Sequence, residues 1–376
     1  MSDTMRAVVK TRPERGAELL THPIPRIAPH EVLLKVRATS ICGTDVHIYK
    51  WDKWSQGRIG DARLPQVLGH EMTGDVVEVG AHCRRVKVGD NISVETHIPD
   101  PSDLQSLVGQ MHIGEGMKIV GVDRDGCFAD YFAVPEVVCW LNDSSIPPEF
   151  ASIQEPLGNA TYCLLGEDGD VAGKSVVILG DGPIGLMAAA IARAVGLTQI
   201  FVVGLFGHCL EIARKVGADH TLNAGDATLD RVAYVKDHTG GFGADIVLEM
   251  AGAAAAVEEG FKMLRKGGRY SAFGVLGDAR ISLDYNADFV FKASRVYGIN
   301  GRRMFDTWYR VRNLLASGRL DPTPIITGLI SLEDYETGFA QMMDVPRRSA
   351  KIVMFPDADL LRDALQRRAA DNVSAG

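Results

Sequence analysis

The stretch "SVVILGDGPIGLMAAAIA" (175–192) constrains this chain more than any other. An unbroken apolar run of strand length ends on Gly180-x-Gly182-x-x-Gly185 and passes directly into a helix of small residues. Glycine at those positions permits a tight turn and close backbone approach, so that N–H groups at the helix N-terminus can meet a pyrophosphate. Alone the pattern is weak. Here the alternation continues through "QIFVVG", "CLEIARKVGA", "ADIVLEMAG", "AAAAVEEGFKMLRKGG" and "RYSAFG". Solid apolar strands separated by helices predict an α/β module, a doubly wound parallel sheet that binds a dinucleotide.

A chain of 376 residues is too long for one ordinary core, so a second domain is expected. The segments 31–42, 73–80, 91–95 and 127–135 are short β-type runs broken by Gly, Pro and Asp, which predicts a β-rich module ahead of the α/β one. After Gly301 come a helix, a Pro-rich turn, a shorter helix and the closing strand "AKIVMF", predicted to return to the first module. The charged tail after Pro356 reads as a surface helix. A net charge of -8 argues against nucleic acid or an anionic membrane as partner. No apolar run is long enough to span a bilayer and none has signal-peptide form, so a soluble, cytoplasmic protein is expected. Six scattered cysteines without a CxxC pair fit a reducing compartment.

The second strand of a dinucleotide module usually ends on an acid that binds the adenosine ribose and repels a 2′-phosphate. In "QIFVVGLFGHC" that position is Gly204, with no acid nearby in sequence and no Arg or Lys in its place. His208 is the one candidate cation, and Phe206 either stacks on adenine or packs internally. The residues leave NAD and NADP both open.

"ICGTDVHIYKWDKWSQ" (41–56) supplies Cys42, "LGHEMTGDVVEVG" supplies His70 and Glu71, and "SIQEPLGNA" supplies Glu155. Each of these is ordinary by itself, and Cys42 alone reads equally as a buried thiol. Together they form a thiolate, imidazole and carboxylate set suited to catalytic zinc. Beside a dinucleotide loop, that set makes metal-assisted hydride transfer a coherent reaction.

These segments, with "GPIGLMAAA" and "YGINGRRMFDTWY" following in order, resemble the zinc-dependent medium-chain dehydrogenase/reductase superfamily over residues 5–355. Within it they are most similar to the L-threonine 3-dehydrogenases, whose first-ligand segment carries the tryptophan pair seen here as Trp51 and Trp54. The resemblance implies a GroES-like catalytic domain over 1–157, completed by 301–376, and a Rossmann domain over 158–300. It implies one catalytic zinc held by Cys42, His70 and Glu155, with Glu71 able to join or leave. Thr44 would hydrogen-bond the reacting alcohol oxygen and His47 would pass its proton to solvent. His97 would lie near the substrate, although a loop histidine without chemistry is an equal reading. NAD, or NADP, would rest on Gly180, Gly182, Pro183, Ile184, Gly185, Gly204, His208, Val275, Ile299 and Asn300.

Many members of the superfamily hold a structural zinc on four cysteines. The corresponding positions here are Asp100, Asp103, Ser106 and Gly114, so no structural zinc is expected. The implied activity is NAD(P)-linked oxidation of a small-molecule secondary alcohol, with L-threonine the leading substrate and 2-amino-3-oxobutanoate its product. A polyol, sugar, cyclitol or vicinal diol is the alternative, and a non-catalytic nucleotide- or partner-binding paralogue is the reading from another class. A homo-oligomer, tetramer or dimer, is implied by resemblance alone.

Overall fold

The computed structural model describes residues 3–374, with side chains through Ala370. It divides into two compact units. The first comprises the chain up to Glu155, Ile326–Val345 and the chain from Lys351; the second comprises Pro156–Ile325 and Pro346–Ala350. Segment 301–325 therefore belongs with the nucleotide-type unit and does not complete the first, as the sequence reading had it. The reason is burial within that unit. Helix Asp306–Ala316 turns Trp308 wholly inward, and buried Arg302 donates to Asn159 Oδ1 at 3.1 Å.

The second unit contains six strands: β1 (Ser175–Leu179), β2 (Gln199–Gly204), β3 (His220–Asn223), β4 (Ala244–Glu249), β5 (Leu264–Ala272) and β6 (Arg295–Gly298). All pair in parallel, in the spatial order β3-β2-β1-β4-β5-β6 of a doubly wound dinucleotide fold. Every residue of β1 is buried, which is why its sequence is solidly apolar and does not alternate. Pro183 opens helix α1 (Pro183–Ala194), where its missing N–H carries no penalty. A side chain at Gly185 would put its Cβ 2.0 Å from the Gly180 carbonyl oxygen, so only glycine lets α1 sit directly on the turn after β1. The helix predicted through "FKMLRKGG" stops at Met263, because Leu264 already pairs with Ala244 as the start of β5.

The first unit is built on a seven-stranded sheet. Strand Glu31–Ser40 lies near its middle, flanked by Glu71–Val79 and by Lys351–Phe355, and also pairs with Tyr131–Pro135. The closing strand thus returns to the first unit as the sequence predicted, parallel to Ile326–Ser331 on its other side. The tail forms helix Ala358–Ser374, anchored by buried Ala364 and by Arg367 donating to both Glu149 oxygens at 2.9 and 2.8 Å. Among the described residues no helix is long and apolar enough to cross a membrane.

One acid fastens the tryptophan-bearing segment to this unit. Asp52 caps helix Lys53–Arg58, and Arg58 at its other end grips Asp123 with two bonds of 2.6 Å. Arg63 and the Ile119 amide donate to the same carboxylate, which is almost fully buried. Burial pushes the Asp123 carboxyl up, and its bonds to Arg58, Ile119 and Arg63 outweigh that, leaving it below the ordinary value. Its contribution is therefore complete above the ordinary carboxyl range and is lost as pH falls through the depressed value. Asp123→Ala should lower stability by about 1 kcal/mol at neutral pH, since it removes charge-assisted bonds from two partly exposed arginines, with the deficit shrinking in strong acid. Urea unfolding of both proteins at neutral and acidic pH measures it.

Candidate active site

Ladder register brings the candidate ligands together. Ser40 stands opposite Glu71 in the antiparallel pair, so Cys42, just past the end of one strand, meets His70, just before the start of the other. Potential ligand atoms of Cys42, His70 and Glu71 all lie within 4.8 Å of one another. Glu155 is buried in the first turn of helix Gln154–Leu165 and falls outside that group. Glu71 is held elsewhere as well, by the Ser40 hydroxyl and by the Lys351 ammonium 2.7 Å away, in a pair with both side chains buried.

Asp45 ties the two leading candidates to each other. It is fully buried one turn into helix Gly43–Lys50, accepting the Cys42 N–H at 2.8 Å and lying 3.3 Å from His70 Nδ1. A carboxylate behind a ligating imidazole fixes the ring and raises its basicity. Burial pushes the His70 ring toward neutrality, but Asp45 and the Cys42 sulfur overcome it and hold the ring's proton well above the ordinary value. A pocket with that field favours a cation, and the sulfur, nitrogen and carboxylate donors are those zinc accepts. The residues fit the metal.

The remaining predicted residues of this unit lie close by in sequence but differ in setting. Thr44 Oγ1 is 4.0 Å from Cys42 Sγ. His47 is more than half exposed, and its Nδ1 meets Asp52 Oδ2 at 2.5 Å. Asp52 also accepts the Trp54 and Ser55 amides, so the helix cap and the histidine clamp are one side chain. His97 is buried beside Glu95, whose side chain accepts the His97 backbone N–H at 2.9 Å. In the lobe, Asp100 caps Ser102 and Asp103 accepts the Gly116 amide, so both carboxylates close local turns. Asp45, Asp52 and Lys351 were not singled out from sequence. A signal was available for the first two: both stand within a few residues of a candidate ligand or relay. Lys351 lies 280 residues from Glu71 and gave none.

In the second unit every predicted cofactor residue falls at the C-terminal edge of the parallel sheet. Gly180, Gly182, Pro183, Ile184 and Gly185 follow β1; Gly204 ends β2 and His208 is exposed just beyond; Val275 follows β5; Ile299 and Asn300 follow β6. Dinucleotides bind along that edge in open α/β sheets. A cavity of about 450 Å³ opens there, walled by Gly180, Gly204, Ala224 and Ala251 among others. Arg347, from the short excursion Pro346–Ala350, brings its guanidinium within 3.4 Å of where a side chain at Gly182 would begin and lies over the Phe206 ring at 5.9 Å. It is a cation at the glycine turn that no local motif announces.

Residues 28–143 match the family model described as the alcohol dehydrogenase GroES-like domain, and residues 183–317 match that of the zinc-binding dehydrogenases. The chain is 44% identical to L-threonine 3-dehydrogenase of Caldanaerobacter subterraneus subsp. tengcongensis, over 95% of this chain and 100% of that one. It belongs to the zinc-binding dehydrogenase family. Another relative of this dehydrogenase is L-threonine 3-dehydrogenase of Pyrococcus furiosus, 46% identical over 91% of this chain and 96% of that one. Its fold is similar to that of 2R,3R-butanediol dehydrogenase from Bacillus subtilis, with a TM-score of 0.84 and 26% identity over 94% of this chain and all of that one.

As a zinc-binding dehydrogenase, the enzyme should lose its metal and its turnover on Cys42→Ala, because the thiolate is the one sulfur in the donor group. Nucleotide binding, which draws on the second unit, should persist. Metal analysis by plasma emission, paired with NADH fluorescence titration, checks both halves.

Proposed function

We propose that this dehydrogenase oxidises the 3-hydroxyl of L-threonine to 2-amino-3-oxobutanoate, reducing a nicotinamide nucleotide. The observation that carries the substrate is identity of 44–46% with L-threonine 3-dehydrogenases across nearly the full length of both chains. The tryptophan-bearing segment, pinned by Asp123, supports it.

Cys42, His70 and Glu155 would hold one zinc, with Glu71 kept by Lys351 and Ser40 as a neighbour able to exchange places. Bound zinc supplies Lewis acidity that lowers an alcohol's pKa, and the nicotinamide accepts the hydride. The chain's own residues handle the proton. Thr44, beside Cys42, takes a hydrogen bond from the substrate hydroxyl. His47, turned by Asp52 so that its second nitrogen meets solvent, carries that proton away. The capping turns made by Asp100 and Asp103 support a lobe closed without a second zinc.

The six free cysteines suit a reducing, cytoplasmic setting. Strand β6 is the outer strand of its sheet, with Val296 and nearby Tyr285 and Phe291 exposed. An uncovered edge of this kind is matched by the same edge of a second copy, which supports a homo-oligomer built through it.

Zinc-loaded protein should form reduced nucleotide with L-threonine. His47→Asn should lower kcat by about 10²-fold at unchanged zinc content, as expected for a lost proton-transfer group. A preparation that turns over 2,3-butanediol and ignores L-threonine would move the substrate to a vicinal diol.

A further inference from the structure

The carboxylate missing from the end of β2 is present in space. Asp181, the residue between the first two glycines of the turn after β1, is buried and folds over the end of β2. Its Oδ2 accepts the backbone N–H groups of Leu205 at 2.9 Å and Phe206 at 2.7 Å. A Cβ added to Gly204 would stand 2.4 Å from the Cβ, the Cγ and the Oδ2 of Asp181 alike. Residue 204 is therefore glycine because the side chain of residue 181 occupies the space its own would fill.

We infer that Asp181 is the residue that selects the nucleotide, taking over from the glycine turn the role normally played by an acid on β2, and that it selects NAD(H) over NADP(H). This rests on the dehydrogenase reading above. Three observations carry it. First, Asp181 lines the cavity at the sheet edge, together with Gly204 and Leu205. Second, the two amides of the β2–α loop, which could otherwise hold a phosphate, are already bonded to a carboxylate. A phosphate arriving there must displace a negative group and then stand beside it. Third, acids outnumber cations on the cavity wall, and Arg347, over the Phe206 ring, is not part of that wall. Arg231 is paired with Glu259 at 2.9 Å, and Lys262 shares the wall with Glu258, Glu259 and Asp181, giving three carboxylates to two cations. Asp181 Oδ1 has no hydrogen-bond partner among the described residues, so one oxygen is free to accept from a ribose hydroxyl.

The test is the binding of NADH and NADPH, each titrated by nucleotide fluorescence against the zinc-loaded protein, which reads the site without turnover. The wild type should bind NADH at least about tenfold more tightly, since a 2′-phosphate would be held within a few ångströms of a buried carboxylate. Asp181→Asn keeps an acceptor for both amides and removes the charge; it should shift the NADPH:NADH affinity ratio by about tenfold toward NADPH. Asp181→Ala/Gly204→Glu returns the acid to β2 and should restore the preference for NADH. Gly204→Glu alone, with no room beside Asp181, should weaken both nucleotides. A wild type that prefers NADPH, or an Asp181→Asn variant whose ratio equals the wild type's, overturns the assignment while leaving the dehydrogenase reading intact. A wild type that binds neither nucleotide overturns both.

Discussion

The buried pair between Lys351 and Glu71 holds the first unit together. Glu71 begins the strand that follows His70, and Lys351 begins the strand that closes the chain. Their contact, with a further bond from Lys351 to the Ile41 carbonyl at 3.2 Å, fastens the last strand to the region of Cys42. Such a pair adds little net stability over an apolar substitute, yet losing either partner leaves an uncompensated charge in the core. Burial pushes the Lys351 ammonium toward neutrality, and Glu71, Cys42 and Glu155 restore and raise its proton affinity. One internal cation thus lies in the field of a thiol and two carboxylates and offsets their charge.

The two units solve the problem of binding charge in different ways. Around Cys42 and His70, buried acids create a field that favours a cation, with Asp45 tuning the ring and Lys351 keeping Glu71 balanced. At the sheet edge glycines at 180, 182 and 185 bare the turn after β1, so backbone N–H groups and the α1 N-terminus are open to an anion, with Arg347 nearby. Asp181 is the exception within that turn. A carboxylate placed in an anion-binding element is suited to discriminate between anions, and this one lines the cavity beside Gly204 and Leu205.

Much of this was legible from sequence because local pattern and function coincide. The apolar run ending at Gly180 gave β1, the glycine spacing gave the close approach of Gly185, and the order of the ligand segments gave Cys42, His70 and Glu71 before any register was known. Glu155 was named on the same grounds, and it is buried but stands apart from the group whose donor atoms converge. What escaped was contact between residues distant in sequence. Lys351 reads as an ordinary strand residue until the register of three strands is known. Gly204 reads as a lost acid until the side chain at 181 is seen lying across it. Segment 301–325 was assigned by its place after the last sheet strand, whereas Trp308 and Arg302 commit it to the unit before it.

The chain passes between its units at Glu155, at Ile325, at Val345 and again at Ala350. This sets an order on birth. During synthesis the six-stranded sheet has all its strands once Gly298 has emerged, although it lies second in the sequence. The sheet built on Glu31–Ser40 must wait for Lys351–Phe355 to fill its place beside that strand. Domains generally fold as units as they leave the ribosome. Here the later module has its six strands first, while the earlier sheet lacks a strand, and Glu71 lacks its cation, until Lys351–Phe355 is added.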